Sequence, residues 1–492
     1  MNVLFINPKT NGYTRSVTAP LGLLSIASYL QAHGFSVRIF DRTVDKKPLK
    51  EVLAEFPVTI VGVSLISYYQ YRDALALSQQ LHAMGAQVVW GGALASVLPQ
   101  AVLNTGVVDA LSLGEGEATW LELALAKQSG KNDWSDIKGL ALKDEKGNLF
   151  FTAQREFLDL STLPDIDWSL VEVEKYYQST YGCKRMLYLY MAKGCPFNCA
   201  FCYNKEFHRC TYRKRPTDVV LREIEYLVKN HGMDGVYFAD ELFCRTVKEM
   251  HAFCDALKAL RLNFVWGGQT RIGIFSREDF EYMYRAGCRW LFFGVESGSR
   301  RMLRNINKRI NYERIEPTFE NCKNAGIYSI GAFIIGLPGE TVDDARETVA
   351  LIERLKTPMI NVNYFIVAPG SDYHYQLSKA GKYPEITDVE MMKNRFSMGQ
   401  KLVDNYSELP AADMKVIRAV YMWRSFRNNN LQVGEKRYSF TKKVIEDALK
   451  SVQFGSFKGF CVSTWGAGVE FLRTFYYAHF HKKIKKKYGI CQ

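Results

Sequence analysis

The stretch KGCPFNCAFCYN (193–204) sets Cys195, Cys199 and Cys202 on one short loop, at a C-x3-C-x2-C spacing, directly after the apolar run MLYLYMA. Thiolates are soft metal ligands, so three of them this close in sequence point to a shared metal centre. A structural zinc site takes four ligands, usually as two pairs, and only His208 and Cys210 stand nearby as extras. An iron–sulfur cube held by three thiolates leaves one iron open to a further ligand. A missing fourth cysteine is then useful, because something else must reach the metal. A zinc loop, or three incidental cysteines, is the competing reading.

The rest of the chain must supply elements that position this loop. Its 492 residues predict more than one domain with ample apolar content for sizeable cores. No uninterrupted apolar run reaches the roughly 18 residues of a membrane span. The start, MNVLFINPKTNG, reads as a strand without the basic region of a signal peptide. Eleven cysteines, an odd number with none before Cys183, favour a reducing cytoplasm and metal chemistry over a disulfide framework.

Within residues 1–140, VLFINP, VRIFD, TIVGVSL, QVVWGG and ALSLGE read as buried strands, and helical patterns such as LGLLSIASYLQAHG and EATWLELALAKQ separate them. This alternation predicts a Rossmann-like (flavodoxin-like) α/β domain that binds ligand at the carboxyl ends of its strands. A polar stretch predicts a linker over 141–180. Over 181–400, MLYLYMA, GVYFADE, FVWGGQT, WLFFGVES, SIGAFIIGL and INVNYFIV alternate with helix-length segments. Six such units predict a partial (β/α)6 barrel rather than a closed eight-fold one. Residues 401–492 are expected to be mainly helical and basic, with 17 Lys and Arg against 7 Asp and Glu, and HFHKKIKKKYG (479–489) near the end. That tail reads either as a solvated, partly frayed terminus or as a contact for an anionic partner such as a membrane surface.

The cysteine loop after a barrel's first strand, with the aromatic Phe201 just before the last cysteine, resembles the radical S-adenosylmethionine (SAM) enzymes. The resemblance implies a [4Fe–4S] cluster on Cys195, Cys199 and Cys202, with Phe201 beside SAM, whose amino and carboxylate groups chelate the open iron. Reductive cleavage of SAM then gives a 5′-deoxyadenosyl radical that abstracts hydrogen. Further segments fall in the family's order. They imply Asp240 and Glu241 of FADELF near the SAM amino group, and Glu296 and Ser297 of GVESGS near its ribose and carboxylate. Arg271 of GQTRIG would pair with the carboxylate. GAFIIGLPGET, through Gly336, resembles the adenine-side motif, with a structural glycine turn as the alternative. TYRKRP (211–216) matches a basic stretch that follows the cysteine loop in many relatives, though Arg213 and Arg215 read equally as surface charges. Cys183, Cys210, Cys244 and Cys254 are expected to be dispensable for the cluster.

A Rossmann-like domain ahead of such a barrel resembles the cobalamin-binding subgroup, the class B radical SAM methyltransferases and their relatives. VGVSL, WGGALAS and LGEGEATWLEL carry this part of the resemblance. It implies that Gly62, Ser64, Gly91 and Gly92 border the nucleotide-like tail of cobalamin, with Gly114 and Glu115 beside them. The D-x-H-x-x-G loop, whose His ligates cobalt from below, is absent, and NPKTNG stands in its place. His33 and His82 lie at helix ends before glycine and read as C-terminal caps. Either cobalt has no protein ligand on its lower face or cobalamin is not bound. Tyr68 or Tyr69 of LISYYQYR could approach that face, with core packing an equal alternative.

By resemblance, the leading function is cobalamin-dependent methylation of an unactivated carbon, with a second SAM renewing the methyl donor. The same architecture also runs radical cyclisation, oxidation or rearrangement, as in anaerobic porphyrin ring formation, which yields no S-adenosylhomocysteine. A redox-sensing binding protein fits poorly with a full set of strand-end motifs. Methylthiolation of tRNA fits poorly with a cysteine-free N-terminal domain. The expected partners are a small-molecule, lipid or tetrapyrrole substrate and an electron donor such as flavodoxin or ferredoxin, with no nucleic acid. The expected location is the cytoplasm, with peripheral contact at the inner membrane surface through the basic tail.

Overall fold

A computed structural model describes residues 1–10, 17–355, 357–393, 395, 402–427, 431–433, 436–438 and 475–490. The chain divides into two compact units. One comprises Met1–Tyr176, Phe201–Val219 and Val367–Phe396; the other comprises Tyr177–Ala200, Val220–Ile366 and Ser397–Gln492. Two segments expected in the barrel, 201–219 and 367–396, thus belong to the N-terminal unit.

In the first unit, β1 (Asn2–Asn7), β2 (Ser36–Asp41), β3 (Ile60–Ser64), β4 (Gln87–Gly91) and β5 (Ala110–Ser112) form a parallel sheet in the order β2-β1-β3-β4-β5. Val3, Leu4, Phe5 and Ile6 are fully buried, as an apolar run covered on both sheet faces must be. The stretch expected to be a linker instead adds β6 (Leu140–Lys143) and β7 (Leu149–Phe151) antiparallel to that sheet. Its later part is anchored too. Tyr176 donates a hydrogen bond of 2.9 Å to the buried Asp41, which also accepts from Asn7 Nδ2 at 3.0 Å and Thr43 N at 2.9 Å. Burial still raises the Asp41 carboxyl above its ordinary value. The chain leaves β1 toward β2 on one side while β3 lies on the other, so the topological switch point falls between β1 and β3.

The second unit holds all six expected barrel strands. They are β9 (Cys183–Leu189), β10 (Gly235–Phe238), β11 (Val265–Thr270), β12 (Cys288–Glu296), β13 (Tyr328–Ile335) and β14 (Met359–Tyr364). They pair in parallel and in sequence, with β8 (Gln178–Thr180) antiparallel on the β9 edge. Helices Val247–Ala259, Arg277–Arg285, Ile315–Asn324 and Val342–Leu355 alternate with the strands. Local chemistry starts them: Thr246 caps the first through Glu249 N, and Ser276 and Asp279 form a capping box on the second. Phe238, Phe243, Phe253 and Trp266 fill the layer between strands and helices, with ring centroids 5.0–6.0 Å apart.

The C-terminal helix Ala411–Arg427 lies along β14, where Ser425 Oγ donates to Ile360 O at 2.9 Å. A short antiparallel pair, Leu431–Val433 with Lys436–Tyr438, follows it. The basic tail is not a frayed end. Its helix Lys482–Lys487 is tied down where Lys487 Nζ reaches Asp413 at 2.6 Å, Tyr488 OH reaches the same carboxylate at 2.9 Å, and Arg346 Nε donates to Lys487 O at 2.9 Å. Among the described residues no helix is long and apolar enough to cross a membrane.

Candidate functional site

The cysteine loop leaves β9 and is pinned from its neighbours almost residue by residue. Asp240, at the end of β10, accepts hydrogen bonds from Met191 N at 2.8 Å and Ala192 N at 3.1 Å. Glu241 accepts from Gly194 N at 3.0 Å. Asn307 Nδ2 donates to Asn198 O at 2.6 Å, and Ala200 N donates to Ile306 O at 2.9 Å. Arg271 stacks over the Phe197 ring, its carbon Cζ 3.6 Å from the centroid, and donates to the carbonyls of Lys308 and Arg309. Such a cation–π contact adds about 1 kcal/mol where it is partly desolvated. The loop therefore rests on a turn, 306–309, whose Asn307 and Arg309 have φ of 52° and 49°. Asn takes up that left-handed region more readily than most side chains do.

These contacts give three residues a part in holding the loop. Asp240 is buried and Glu241 exposed, and both hold loop backbone ahead of Cys195. Arg271 is engaged with the loop's aromatic ring and with the 306–309 turn, so its first role is to clamp the loop. Burial lowers the Arg271 pKa, against the opposing pull of Cys199 and Cys195 beside it. Burial likewise pushes the Cys195 thiol up, against the pull of Arg271 and Lys308.

Glu296 stands at the end of β12 with a φ of 70°, in a backbone region strained for a non-glycine residue. Its Oε1 meets Lys308 Nζ at 2.8 Å, and both side chains are largely buried. Gly294 keeps that pair in place, since a Cβ there would lie 2.3 Å from Glu296 Oε1. Ser297 is fully buried, its Oγ lies 3.1 Å from Thr348 Oγ1, and it accepts from Ser299 N. That hydroxyl braces the strand end. Gly336 N donates to the buried Glu340 carboxylate at 2.6 Å, and Leu337 N does so at 3.2 Å. Burial drives the Glu340 carboxyl up to about 8. Asn307, Lys308 and Glu340 were not singled out from the sequence. Their only signal is a polar NINK stretch after GVESGS and a Glu after GLPG.

In the first unit, strand register sets Ser64 beside Gly91 and Gly91 beside Ser112 at the carboxyl ends of β3, β4 and β5. Gly92 follows with φ of 101°, packed so that a Cβ would lie 2.9 Å from Leu65 O. Gly114 N donates to Ser96 Oγ at 2.9 Å. Gly62 lies inside the sheet. A Cβ there would come within 2.5 Å of the Phe5 ring and 2.6 Å of Trp120, so its smallness serves packing. Tyr68 is buried, and its hydroxyl donates to Glu390 Oε2 at 2.9 Å, a carboxylate also reached by Arg72. Glu115 pairs with Arg213, which also donates to Leu158 O, while His208 Nδ1 lies 3.8 Å away. Arg213 is therefore an ion-pair partner, and Arg215 is buried, so neither is a plain surface charge. His33 Nδ1 lies 2.7 Å from Tyr29 O, and His82 Nε2 lies 3.1 Å from Asp109.

The donor set suits a cluster better than a single ion. Cys195, Cys199 and Cys202 form no disulfide and are all at least half buried. Among the described residues, no group of three His, Cys, Asp or Glu converges on one metal ion. A cubane needs no such convergence, because each thiolate binds a different iron. Phe201 and Cys202 fall in the first unit, where Asn204 N lies 3.5 Å from Cys202 Sγ.

Comparison with known proteins gives two family matches. The radical SAM superfamily matches residues 189–352, and the B12 binding domain matches residues 11–124. The anaerobic magnesium-protoporphyrin IX monomethyl ester cyclase of Rubrivivax gelatinosus is 27% identical, over 92% of this chain and 83% of its own. The cytidylyl-2-hydroxyethylphosphonate methyltransferase of Streptomyces wedmorensis is 25% identical, over 75% of this chain and 79% of its own. Among solved structures, the radical S-adenosylmethionine methyltransferase TsrM of Kitasatospora setae, with cobalamin and [4Fe–4S] cluster bound, matches with a TM-score of 0.64 and 19% identity. That match covers 77% of this chain and 78% of TsrM, and it is a likeness of fold. With both domains in one chain and in this order, the protein belongs to the cobalamin-binding radical SAM enzymes, which work with a [4Fe–4S] cluster, SAM and cobalamin.

Proposed function

We propose that the protein methylates an unactivated carbon of a small-molecule substrate. When bound, the cluster and SAM supply a carbon-centred radical and cobalamin supplies the methyl group. The chain's own part is to position, since difficult radical chemistry belongs to the cofactors. Cys195, Cys199 and Cys202 hold the cluster, and Asp240, Glu241, Asn307 and Arg271 fix the backbone between and before them. Glu296, held by Lys308, and the Gly336 turn, held by Glu340, stand at the neighbouring strand ends as candidates for SAM. Ser64, Gly91, Gly92 and Gly114 are candidates to border cobalamin. The reading rests chiefly on one observation: a pinned three-thiol loop shares its chain with a B12 binding domain. An electron donor of flavodoxin or ferredoxin type feeds the cluster. The enzyme works in the cytoplasm, against the inner membrane surface.

A second reading, radical cyclisation without methyl transfer, is favoured by the long match to the Rubrivivax cyclase. Anaerobic incubation with SAM, cobalamin, a reductant and candidate substrates separates the two. Methyl transfer gives a product heavier by one methylene and S-adenosylhomocysteine together with 5′-deoxyadenosine. Cyclisation gives 5′-deoxyadenosine without S-adenosylhomocysteine. The triple variant Cys195→Ala, Cys199→Ala, Cys202→Ala should lose the roughly four irons of the cluster and all SAM cleavage. Iron retained at the full level in that variant would remove the assignment.

A further inference from the structure

We infer that the C-terminal surface of the second unit, centred on Phe475, Tyr476 and Phe480 and the adjoining lysines 482, 483 and 486, docks on an anionic lipid bilayer. This gives a surface to the membrane placement proposed above, and it is independent of methyl transfer. Three large aromatic side chains lie within six residues and are 37%, 53% and 66% exposed. They are contiguous, with ring centroids of Phe480 5.5 Å from Tyr476 and 6.4 Å from Phe475. The patch is held against the body, since Trp423 lies 5.3 Å from Phe475 and 5.2 Å from His479.

The lysines that follow are of two kinds. Lys487 is bound to Asp413, an anchor that keeps the tail in place. Lys482, Lys483 and Lys486 are exposed. Exposed aromatics beside exposed lysines match both layers of a bilayer interface, where rings sit at headgroup depth and ammonium groups meet anionic lipid. Single-stranded nucleic acid also uses aromatics and basic charge, but it needs open ring faces. Here one face of each ring is already covered: Tyr476 stacks on Phe480 with planes 26° apart, and Phe475 stacks on His479 with planes 27° apart.

The test is co-sedimentation of the full-length chain with phosphatidylcholine vesicles and with vesicles enriched in phosphatidylglycerol. Binding is expected only to the anionic vesicles and should weaken steeply with salt. Replacing Lys482, Lys483 and Lys486 by Gln, leaving Lys485 and Lys487 intact, should weaken it by about 100-fold. Tyr476→Ser with Phe480→Ser should leave a weaker, wholly salt-reversible association. Unchanged thermal melting of these surface variants shows that they fold. Absence of binding at low salt overturns the inference, as does binding indifferent to all five side chains. Capture of a single-stranded oligonucleotide in place of vesicles also overturns it. The assay needs neither SAM nor substrate, so its failure leaves the methyl-transfer reading standing, and the reverse holds too.

Discussion

At the scale of single residues, His33, His82 and Tyr68 bear on what can reach cobalt from residues 1–140. His33 and His82 are engaged at helix ends with Tyr29 O and Asp109, and the Tyr68 hydroxyl is engaged with Glu390. Bound cobalamin should therefore take neither His33 nor His82 as a ligand. The reconstituted cob(II)alamin form should show no nitrogen hyperfine splitting from a protein imidazole in electron paramagnetic resonance. His33→Ala and His82→Ala should leave the spectrum unchanged. A nitrogen signal that disappears in either variant would mean that one of these side chains leaves its partner to bind metal.

At the scale of elements, the 306–309 turn is what makes the cysteine loop a fixed structure. Asn307 supplies a hydrogen bond to Asn198 O, worth about 1 kcal/mol, and tolerates the left-handed backbone there. Asn307→Gly keeps the backbone freedom and removes the amide. It should lose iron in air several times faster than the unmodified protein, with Asn307→Ala faster still because it adds backbone strain. Iron content followed by visible absorbance reads this without SAM or substrate. Equal rates in Asn307→Gly and the unmodified protein would show that the amide does not hold the loop.

At the scale of the whole molecule, stability should depend on pH through Glu340. Its carboxyl is buried, its Oε1 has no partner among the described residues, and its pKa is raised to about 8 from an ordinary 4.5. Between those two values the folded chain keeps a proton that the unfolded chain releases. Stability is then fullest below the ordinary value and falls as pH rises toward about 8, by a few kcal/mol at most. Asp344 works the opposite way: Arg301, Ser299 and Thr341 outweigh its burial and hold it well below the carboxylate range. Its contribution is lost only in stronger acid, so it does not interfere in this window. Glu340→Gln can still accept from Gly336 N and Leu337 N, and it should flatten the fall in melting temperature between pH 5 and pH 8. An unaltered slope would place the pH dependence elsewhere.

Periodicity alone determined the strands, because apolar runs buried on both faces of a parallel sheet leave little choice of conformation. All five expected N-terminal strands and all six barrel strands form. Cysteine spacing likewise singled out the candidate cluster loop, since it sets three soft donors on one short segment. Side-chain direction was decided elsewhere. Gly62 packs against Phe5 and Trp120, and Ser297 turns to Thr348. Asn307 reaches Asn198 across 109 positions of sequence. The stretch after β5 looked like a linker because it is polar, yet two of its segments find an open sheet edge. Each of these depends on which distant strand end or helix becomes a neighbour. Sheet order and register fix that, and neither is encoded in the local spacing of residues.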